Sequence, residues 1–308
     1  MYKAKGDEFY NSLRGSFSGA FYDKINNKWI FFTGHVGDKK VFYSKYKDVI
    51  IISSKIINIV RFFKANKIPY SFDKNGAYCL LTQGFMLQDY TLVKEIKKVL
   101  PGSYIKLYNN KVEVKKYHRY TNIPNYKQNE DEIIENIDRL FKNAVKRQFD
   151  KDREYDYKHI ATDLNNEYIF KTLDDAKFLF YLEEAVKING GISIYYGMSH
   201  SKNLLDSLNL SKYGLVHTRQ IGDVVLGTFL KGDNYNEKAT KIAGAYSSKL
   251  KEKLDDIDVD LYDNLEMFLL YTRGFNGALS GNLAFQELTE SYSTFYDVDF
   301  LNIVYLYV

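Results

Sequence analysis

A change in hydrophobic periodicity near residue 119 constrains the fold of this chain more than any other feature. Before it, apolar residues occur in short runs of the kind that form strands, and after residue 130 they recur at helical spacing. The segment between them is polar and contains Pro124, which is typical of a linker. We therefore predict a β-rich part over 1–118, a linker over 119–130 and a helix-rich part over 131–308.

Two hairpins are expected in the first part. Residues 17–23 and 29–33 flank a turn with paired asparagines, which tolerate left-handed backbone geometry, and residues 103–107 and 112–116 flank a second Asn-Asn pair. Further elements are expected as strands at 41–43 and 49–52, an amphipathic helix carrying Ile56, Ile57, Val60 and Phe63, and a short helix that Asp73 caps and that runs to Leu81. Antiparallel β layers with a few helices are the predicted architecture here.

The second part combines helices with short strands. Apolar residues from Ile133 to Val145 recur at helical spacing and mark a long amphipathic helix. Helical patterns also cover 178–188, 202–208, 236–254 and 262–274, whereas 159–162, 167–170 and 213–218 have the pattern of strands. Strands separated by helices favour an α/β domain with a parallel sheet, rich in helix.

Charge and cysteine usage exclude several classes of protein. The formal charge is +4, and lysines and glutamates are interspersed, so no basic stripe for nucleic acid is expected. No apolar run is long enough to cross a bilayer, and we expect a cytoplasmic protein without membrane contact. The single cysteine, Cys79, excludes an internal disulfide and a Cys-rich zinc site, and its apolar surroundings predict a buried, inert thiol. The five histidines have no metal-binding spacing.

The most promising ligand-binding segment follows the strand predicted at 213–218. A polar loop there holds Gly222 and Asp223, and Gly227 follows in the next apolar stretch. Ligands of α/β sheets bind outside the carboxyl ends of strands, and Asp223 is a suitable Mg²⁺ ligand because hard cations favour carboxylate oxygens. The alternative is that Asp223 caps the following helix, and spacing alone favours that role.

Several stretches together resemble the glutamine-dependent asparagine synthetase family, including its relatives in polysaccharide and peptide-modification gene clusters. The residues that carry this likeness are 13–23 (LRGSFSGAFYD), 32–43 (FTGHVGDKKVFY), 100–104 (LPGSY) with Tyr117 and His118, 218–229 and 290–297. Their order and spacing extend over most of the chain.

The resemblance implies an N-terminal-nucleophile (Ntn) glutaminase domain followed by an ATP-pyrophosphatase domain of the adenine nucleotide α-hydrolase type. In such enzymes an N-terminal cysteine frees ammonia from glutamine, and the second domain uses ATP and Mg²⁺ to adenylate an acid such as aspartate. The resemblance also implies small-molecule ligands, ATP and an amino acid, with Gly222, Asp223 and Gly227 in the nucleotide site and Asp223 on the metal.

This sequence departs from the family at the positions that carry chemistry. Position 2 is Tyr2 rather than cysteine, and the nucleophile is expected upstream of the residues in hand. Ala161 and Thr162 run directly into an Asp-Leu-Asn-Asn stretch where the family has its pyrophosphate loop. Gln220 replaces a glutamate, and Asn282 stands where the family has a lysine. We therefore predict no catalytic residues, and only weak binding of ATP and Mg²⁺.

Three interpretations remain open on the sequence alone. The chain is a reduced, inactive homologue (a pseudoenzyme), or a fragment or spliced product of an active synthetase. The third is a non-catalytic scaffold that retains the fold to hold a protein partner or a second copy of itself, because unpaired strand edges recruit partners.

Overall fold

A computed structural model of the chain describes residues 1–109, 111–122, 129–148, 176–194, 196–210, 214–227, 248–254, 262 and 264–306. The first part contains three α-helices, α1 (Tyr2–Lys5), α2 (Ile56–Ala65) and α3 (Lys74–Gln83), and a 3₁₀ helix, Gly6–Ser12. Its strands are β1 (Ser18–Asp23), β2 (Lys28–Thr33), β3 (Phe42–Tyr46), β4 (Val49–Ser53), β5 (Lys97–Lys98), β6 (Ser103–Tyr108) and β7 (Lys111–Lys116).

Both predicted hairpins form, and their turns have the expected backbone geometry. The β1–β2 turn is stabilised by Asp23, whose carboxylate accepts hydrogen bonds from the backbone N–H groups of Ile25 and Asn26. Asn27 then adopts a left-handed conformation, with φ of 48°, and Asn109 does so between β6 and β7, with φ of 49°. Asparagine tolerates this region better than other residues with a Cβ atom, so the turn chemistry sets the register of each hairpin.

Two antiparallel sheets pack against each other in the first part. One has the strand order β1-β2-β6-β7 and the other has the order β4-β3-β5. Val41, Val99 and Ile105 are buried between them. The far side of the four-stranded sheet is covered by the N-terminal helical segment through a hydrophobic cluster of Phe9, Tyr10, Ile30 and Phe32. The predicted antiparallel β architecture is confirmed.

The two predicted helices of this part are also present. α2 buries Ile56, Ile59 and Phe63 on one face. Ile56 and Phe63 belong to the predicted face, whereas Ile57 and Val60 are partly exposed and Ile59 takes the central buried position. Asp73 is the N-cap of α3, and its side chain accepts hydrogen bonds from the N–H groups of Asn75 and Gly76; Gly84, in the left-handed conformation, follows the last residue of the helix. Asp73 therefore satisfies two of the backbone donors that the first turn of a helix leaves without partners.

Helices dominate the described residues of the second part. They are α4 (Glu130–Gln148), α5 (Leu182–Asn189), α6 (Tyr196–Leu205), α7 (Gly222–Val225), α8 (Leu265–Leu269), α9 (Asn282–Gln286) and α10 (Val298–Val304). Turns of 3₁₀ helix cover Ala176–Tyr181, Ser248–Leu254, Ala278–Gly281 and Thr294–Tyr296, and Leu270–Gly277 is a π-helix. The strands are β8 (Leu215–His217) and β9 (Glu290–Tyr292), which pair in parallel.

Several expectations for the second part are met, and others fall outside the described residues. α4 contains the whole predicted helical face, and β8 lies within the predicted strand at 213–218. The helix predicted at 202–208 is wrong at its C-terminal end, because α6 ends at Leu205. The strands predicted at 159–162 and 167–170 lie outside the described residues, as does most of the helix predicted at 236–254. None of the described helices has the length and apolar character needed to span a membrane.

The helix predicted at 262–274 has a different form from the regular α-helix that was expected. It begins as α8, widens into the π-helix at Leu270 and continues through a 3₁₀ turn into α9. π-Helical segments are rare and often accompany functional or strained sites. Here Lys40 reaches the segment from the first part and donates a hydrogen bond of 2.8 Å to the backbone carbonyl of Phe275.

The two parts share hydrophobic cores. Val36 and Tyr120 lie in the core of the second part, and Phe268 and Ile192 pack in the cluster around α2 and α3. Backbone hydrogen bonds also cross between the parts; for example, Met86 N–H donates to Ile192 O at 2.7 Å. Within the predicted linker, Tyr120 and Asn122 are buried, whereas Arg119 and Thr121 are exposed, so the side chains alternate between the core and the surface.

The buried carboxyl group of Glu266, which binds Asn122, leads to a prediction about stability. Glu266 is 3% exposed and accepts a hydrogen bond of 2.6 Å from Asn122. Burial raises the pKa of Glu266 to about 7, against the smaller opposing effect of that hydrogen bond. The neutral Glu266 side chain therefore contributes fully to stability below the pKa that its carboxyl group has in the unfolded chain, near 4.5. This contribution is lost as the pH rises through 7.

We expect Glu266→Gln to remove this pH dependence, because an amide cannot ionise. Relative to the variant, the wild type should lose on the order of 2 kcal/mol of unfolding free energy between pH 5 and pH 8. Urea unfolding at both pH values measures the difference. The control is Glu290→Gln, which removes an exposed carboxylate; a pH slope in Glu266→Gln equal to that of the wild type would contradict the assignment.

Candidate functional site

The candidate site lies where β8 and β9 end side by side. The two strands pair in parallel, with Val216 opposite Ser291 and His217 opposite Tyr292. Just beyond them, the N–H of Thr218 donates a 2.8 Å hydrogen bond to the carbonyl of Tyr292. Both strands end at the same edge of the sheet, and the carboxyl ends of parallel strands are the position at which α/β sheets bind ligands.

The loop after β8 is held by its own backbone and by the segment after β9. The hydroxyl of Ser293 donates to the carbonyl of Gln220 at 3.1 Å. Ile221, 1% exposed, then adopts a left-handed conformation with φ of 61°. This conformation is strained for a β-branched residue, so burial of the side chain is what holds the turn in place.

Asp223 does not cap the helix that follows, so the role that spacing favoured is wrong. The N-cap position belongs to Ile221, which has no side-chain acceptor, and Asp223 is the second residue of α7. Its side chain is exposed at the surface. A carboxylate in the first turn of a helix is favourably placed near the helix N-terminus, but α7 is a single turn.

Both predicted site glycines have packing or backbone reasons for being glycine. A Cβ atom added to Gly222 would lie 2.7 Å from the Phe295 ring, closer than van der Waals contact allows. Gly227 has φ of 88°, in the region that favours glycine, at the turn that ends α7. The ring of Phe295 occupies the space beside Gly222, so this glycine serves the packing between the loop and the segment after β9.

The described residues contain no cluster of metal-binding side chains. Among them, no group of three or more His, Cys, Asp or Glu side chains is close enough together to hold a metal ion. Mg²⁺ is commonly held by one or two carboxylates together with phosphate oxygens and water. Asp223 is thus one carboxylate at the rim of the sheet edge, and its role as a metal ligand stays a prediction.

Asn282 occupies a buried position next to the loop. It is fully buried, and its amide nitrogen donates a short hydrogen bond to the hydroxyl of Tyr296. Burial raises the pKa of Tyr296 well above its ordinary value, so the hydroxyl is neutral. The position that carries a lysine in the resembled family therefore carries a neutral internal hydrogen bond here.

Two arginines that no sequence pattern singled out also reach this edge. Arg147 of α4 binds Asp297 with its Nη2 and Nε atoms, at 2.6 and 2.8 Å, and Asp297 also caps α10. Arg14, from the first part, forms a two-pronged ion pair with Asp299, with distances of 3.1 and 3.3 Å. These partners are 150 and 285 residues apart, and no local pattern can pair residues at such separations.

The single thiol is buried away from solvent, as its apolar surroundings predicted. Cys79 is fully buried within α3, in the apolar cluster around α2 and Phe85. Burial raises the pKa of the thiol to about 11, so the thiolate is scarce at neutral pH. A cysteine nucleophile needs the opposite conditions, which are access to solvent and a lowered pKa.

The first part of the chain is similar to a known family of domains. Residues 1–118 match a glutamine amidotransferase domain. The two antiparallel sheets lie within the matched residues, and the match is consistent with the N-terminal domain of asparagine synthetases. No curated protein matches the chain.

The packing role of Gly222 leads to a direct test. We expect Gly222→Ala to lower the unfolding free energy by about 1–3 kcal/mol, because the new methyl group overlaps the Phe295 ring. The matched control is Gly274→Ala, since a Cβ atom there would meet its nearest neighbour, Val224, at an ordinary 3.5 Å. The control should be neutral or slightly stabilising. Chemical denaturation measures both, and equal effects would contradict the packing explanation.

Proposed function

We propose that this chain is an asparagine synthetase-like protein in which a glutamine amidotransferase-type part is packed against a degenerate nucleotide-binding part. The role of the resembled family is ATP-dependent amide formation from an acid, such as aspartate, and ammonia derived from glutamine. Our proposal for this chain is that its 308 residues do not carry out either half-reaction by themselves.

The observation that carries the proposal is the burial of the only thiol, which also raises its pKa. Release of ammonia from glutamine in this family proceeds through a cysteine thiolate, which must reach the substrate and be ionised. Cys79 is fully buried and its pKa is raised to about 11. Neither condition is met, so the amidotransferase-type part lacks a nucleophile within these residues.

The nucleotide-binding part supports the same conclusion by a different route. Acyl-adenylate formation needs donors and a metal around the leaving pyrophosphate, and removal of one such donor costs roughly 10²–10³ in rate. Gln220 and Asn282 are neutral, and the side chain of Asn282 is hydrogen bonded to Tyr296. Asp223 is one exposed carboxylate at this edge.

We expect no turnover above background with glutamine alone, or with aspartate, ATP, Mg²⁺ and either glutamine or ammonia. Glutamate release and pyrophosphate release are the two readouts, with a heat-treated sample as the blank and an active asparagine synthetase as the positive control. Turnover clearly above the blank would contradict the proposal.

Cys79→Ala identifies the source of any turnover that is observed. Glutamate release that disappears in Cys79→Ala would make the buried thiol the nucleophile and overturn the argument above. Glutamate release that persists in the variant would require a nucleophile other than sulphur, because the chain has one cysteine.

ATP binding tests the proposed nucleotide site separately. With Mg²⁺ present, we expect weak binding that is reduced further in Asp223→Ala, because this carboxylate is the proposed metal ligand at the strand edge. Asp131→Ala is the matched control, because Asp131 is also an exposed carboxylate in the first turn of a helix, α4, and the variant should bind like the wild type. Isothermal titration calorimetry measures all three proteins. Tight binding that survives in Asp223→Ala would place the nucleotide elsewhere.

A non-catalytic scaffold is the second candidate function, and one observation favours it. Among the described strands, β4 forms an edge of its sheet, and it begins with Val49 and three isoleucines, with Val49 half exposed. Exposed edges of β-branched residues favour pairing with another chain, and a charge on the edge opposes it.

Sedimentation velocity across a range of concentrations should show association that Val49→Lys weakens. A wild type that stays monomeric throughout would remove this candidate.

A further inference from the structure

One stretch of the first part is rich in positive charge and nearly devoid of acidic residues. Between Asp48 and Asp89 the only acidic residue is Asp73, and its side chain is buried as the N-cap of α3. The exposed cations of the same stretch are Arg61, Lys64, Lys67 and Lys74. The charge of this stretch therefore differs from the interspersed pattern of the chain as a whole.

Ion pairs do not neutralise these four cations. In the part of the chain that the structure describes, none of them pairs with a carboxylate. Lys55, the remaining cation of the stretch, is paired with Glu287. Glu95, which follows the stretch, accepts two hydrogen bonds from Ser71 and lies in the field of Lys94. The four exposed cations thus present net positive charge to solvent.

Large apolar side chains are exposed among these cations. Phe72 is 64% exposed, and Phe62 is exposed on α2. The loop between α2 and α3 folds back on the end of α2, because the N–H of Ile68 donates to the carbonyl of Phe63 at 2.9 Å and the ring of Tyr70 lies 5.8 Å from that of Phe63. The loop therefore stays next to the cations of α2. We define the basic aromatic surface as Arg61, Phe62, Lys64, Lys67, Phe72 and Lys74.

The basic aromatic surface lies on an outer layer of the first part. Ile51 of β4 packs in the cluster around α2, whereas its neighbour Ile52 packs between the two sheets, so α2 covers the outer side of the three-stranded sheet. α1 covers the outer side of the four-stranded sheet, where Tyr2 packs against the cluster that contains Ile30 and Phe32. The two helices therefore lie on opposite sides of the β layers.

We propose that the basic aromatic surface docks this protein on a bilayer that contains anionic phospholipids. Lysine and arginine are attracted to anionic headgroups, and exposed phenylalanine side chains enter the boundary between headgroups and acyl chains. A bilayer takes up both components, whereas a phosphate of a soluble polyanion has no polar atom to bind on phenylalanine. The prediction of no membrane contact rested on the lack of an apolar span, which peripheral docking does not need. This inference is independent of the proposed function.

Co-sedimentation of the full chain with vesicles tests the surface. The wild type should bind vesicles of phosphatidylcholine and phosphatidylserine but not of phosphatidylcholine alone, and added salt should weaken the binding. Arg61→Glu with Lys74→Glu should lower the affinity on the order of a hundredfold, because repulsion replaces attraction at two positions. An acid is favourable in the first turn of α3, so this variant retains the helix. Lys3→Glu with Lys5→Glu is the matched control, because it changes the net charge equally on the exposed side of α1, and it should retain most of the affinity.

Changes at Phe72 separate docking from charge attraction alone. Phe72→Ser retains every cation and should lower the affinity about tenfold, because the exposed ring no longer enters the bilayer. Phe72→Trp, combined with Trp29→Phe so that one tryptophan reports, should shift its emission to the blue on anionic vesicles only.

Four outcomes would each overturn the proposal. They are a wild type that does not bind anionic vesicles, equal losses in the two charge variants, full affinity in Phe72→Ser, and an unshifted emission from Phe72→Trp. Binding of a single-stranded oligonucleotide that anionic vesicles do not displace would assign the surface to nucleic acid and would also overturn it.

Discussion

The contact of the π-helix Leu270–Gly277 with the three-stranded sheet determines how the two parts of the chain meet. Two lysines of the sheet region bind consecutive residues of this helix, Phe275 and Asn276. An α-helix satisfies its own carbonyl groups, whereas the lysine donor at Phe275 supplies a partner from outside the helix. The same helix supplies Tyr271 and Phe275 to the core that buries Tyr120, so the chain segment joining the two parts is held by the same element.

At the edge of the parallel strands, two residues that the resemblance aligned with ligand-binding positions of the family, Gly222 and Asn282, take part in internal packing. Gly222 lies against the ring of Phe295, and Asn282 binds the hydroxyl of Tyr296. The amide nitrogen of Asn282 is paired with Tyr296, whereas its buried Oδ1 has no hydrogen-bond partner, and such an unpaired acceptor costs about 1–3 kcal/mol. The loop after β8 is therefore a packed turn fixed by Ser293, and it leaves Asp223 as the exposed acidic group of α7.

Local patterns predicted local structure well. The Asn-Asn turns, the Asp73 cap and the amphipathic face of α4 each depend on residues within a few positions of one another, and all of them form. The sequence did not predict the π-helix, because its apolar spacing resembles that of an α-helix and the lysine that binds its carbonyl lies 235 residues away. The cap assigned to Asp223 failed for a related reason. The left-handed turn at Ile221 starts α7 two residues earlier than the position of Asp223 implied, and burial of Ile221 in the tertiary core sustains that turn.

The central claim of this account is that the amidotransferase-type part and the helical part form one cooperative unit through shared cores and the lysine contacts. Trp29, the only tryptophan, lies on β2 in the first part and stacks between Tyr22 and Phe31, whereas most of the described helix belongs to the second part. Thermal unfolding followed by Trp29 fluorescence and by circular dichroism at the helical wavelength therefore reports on the two parts separately. A shared unit predicts coincident transitions with one midpoint. Helix loss that is complete while the Trp29 signal remains native, or the reverse order, would contradict the claim.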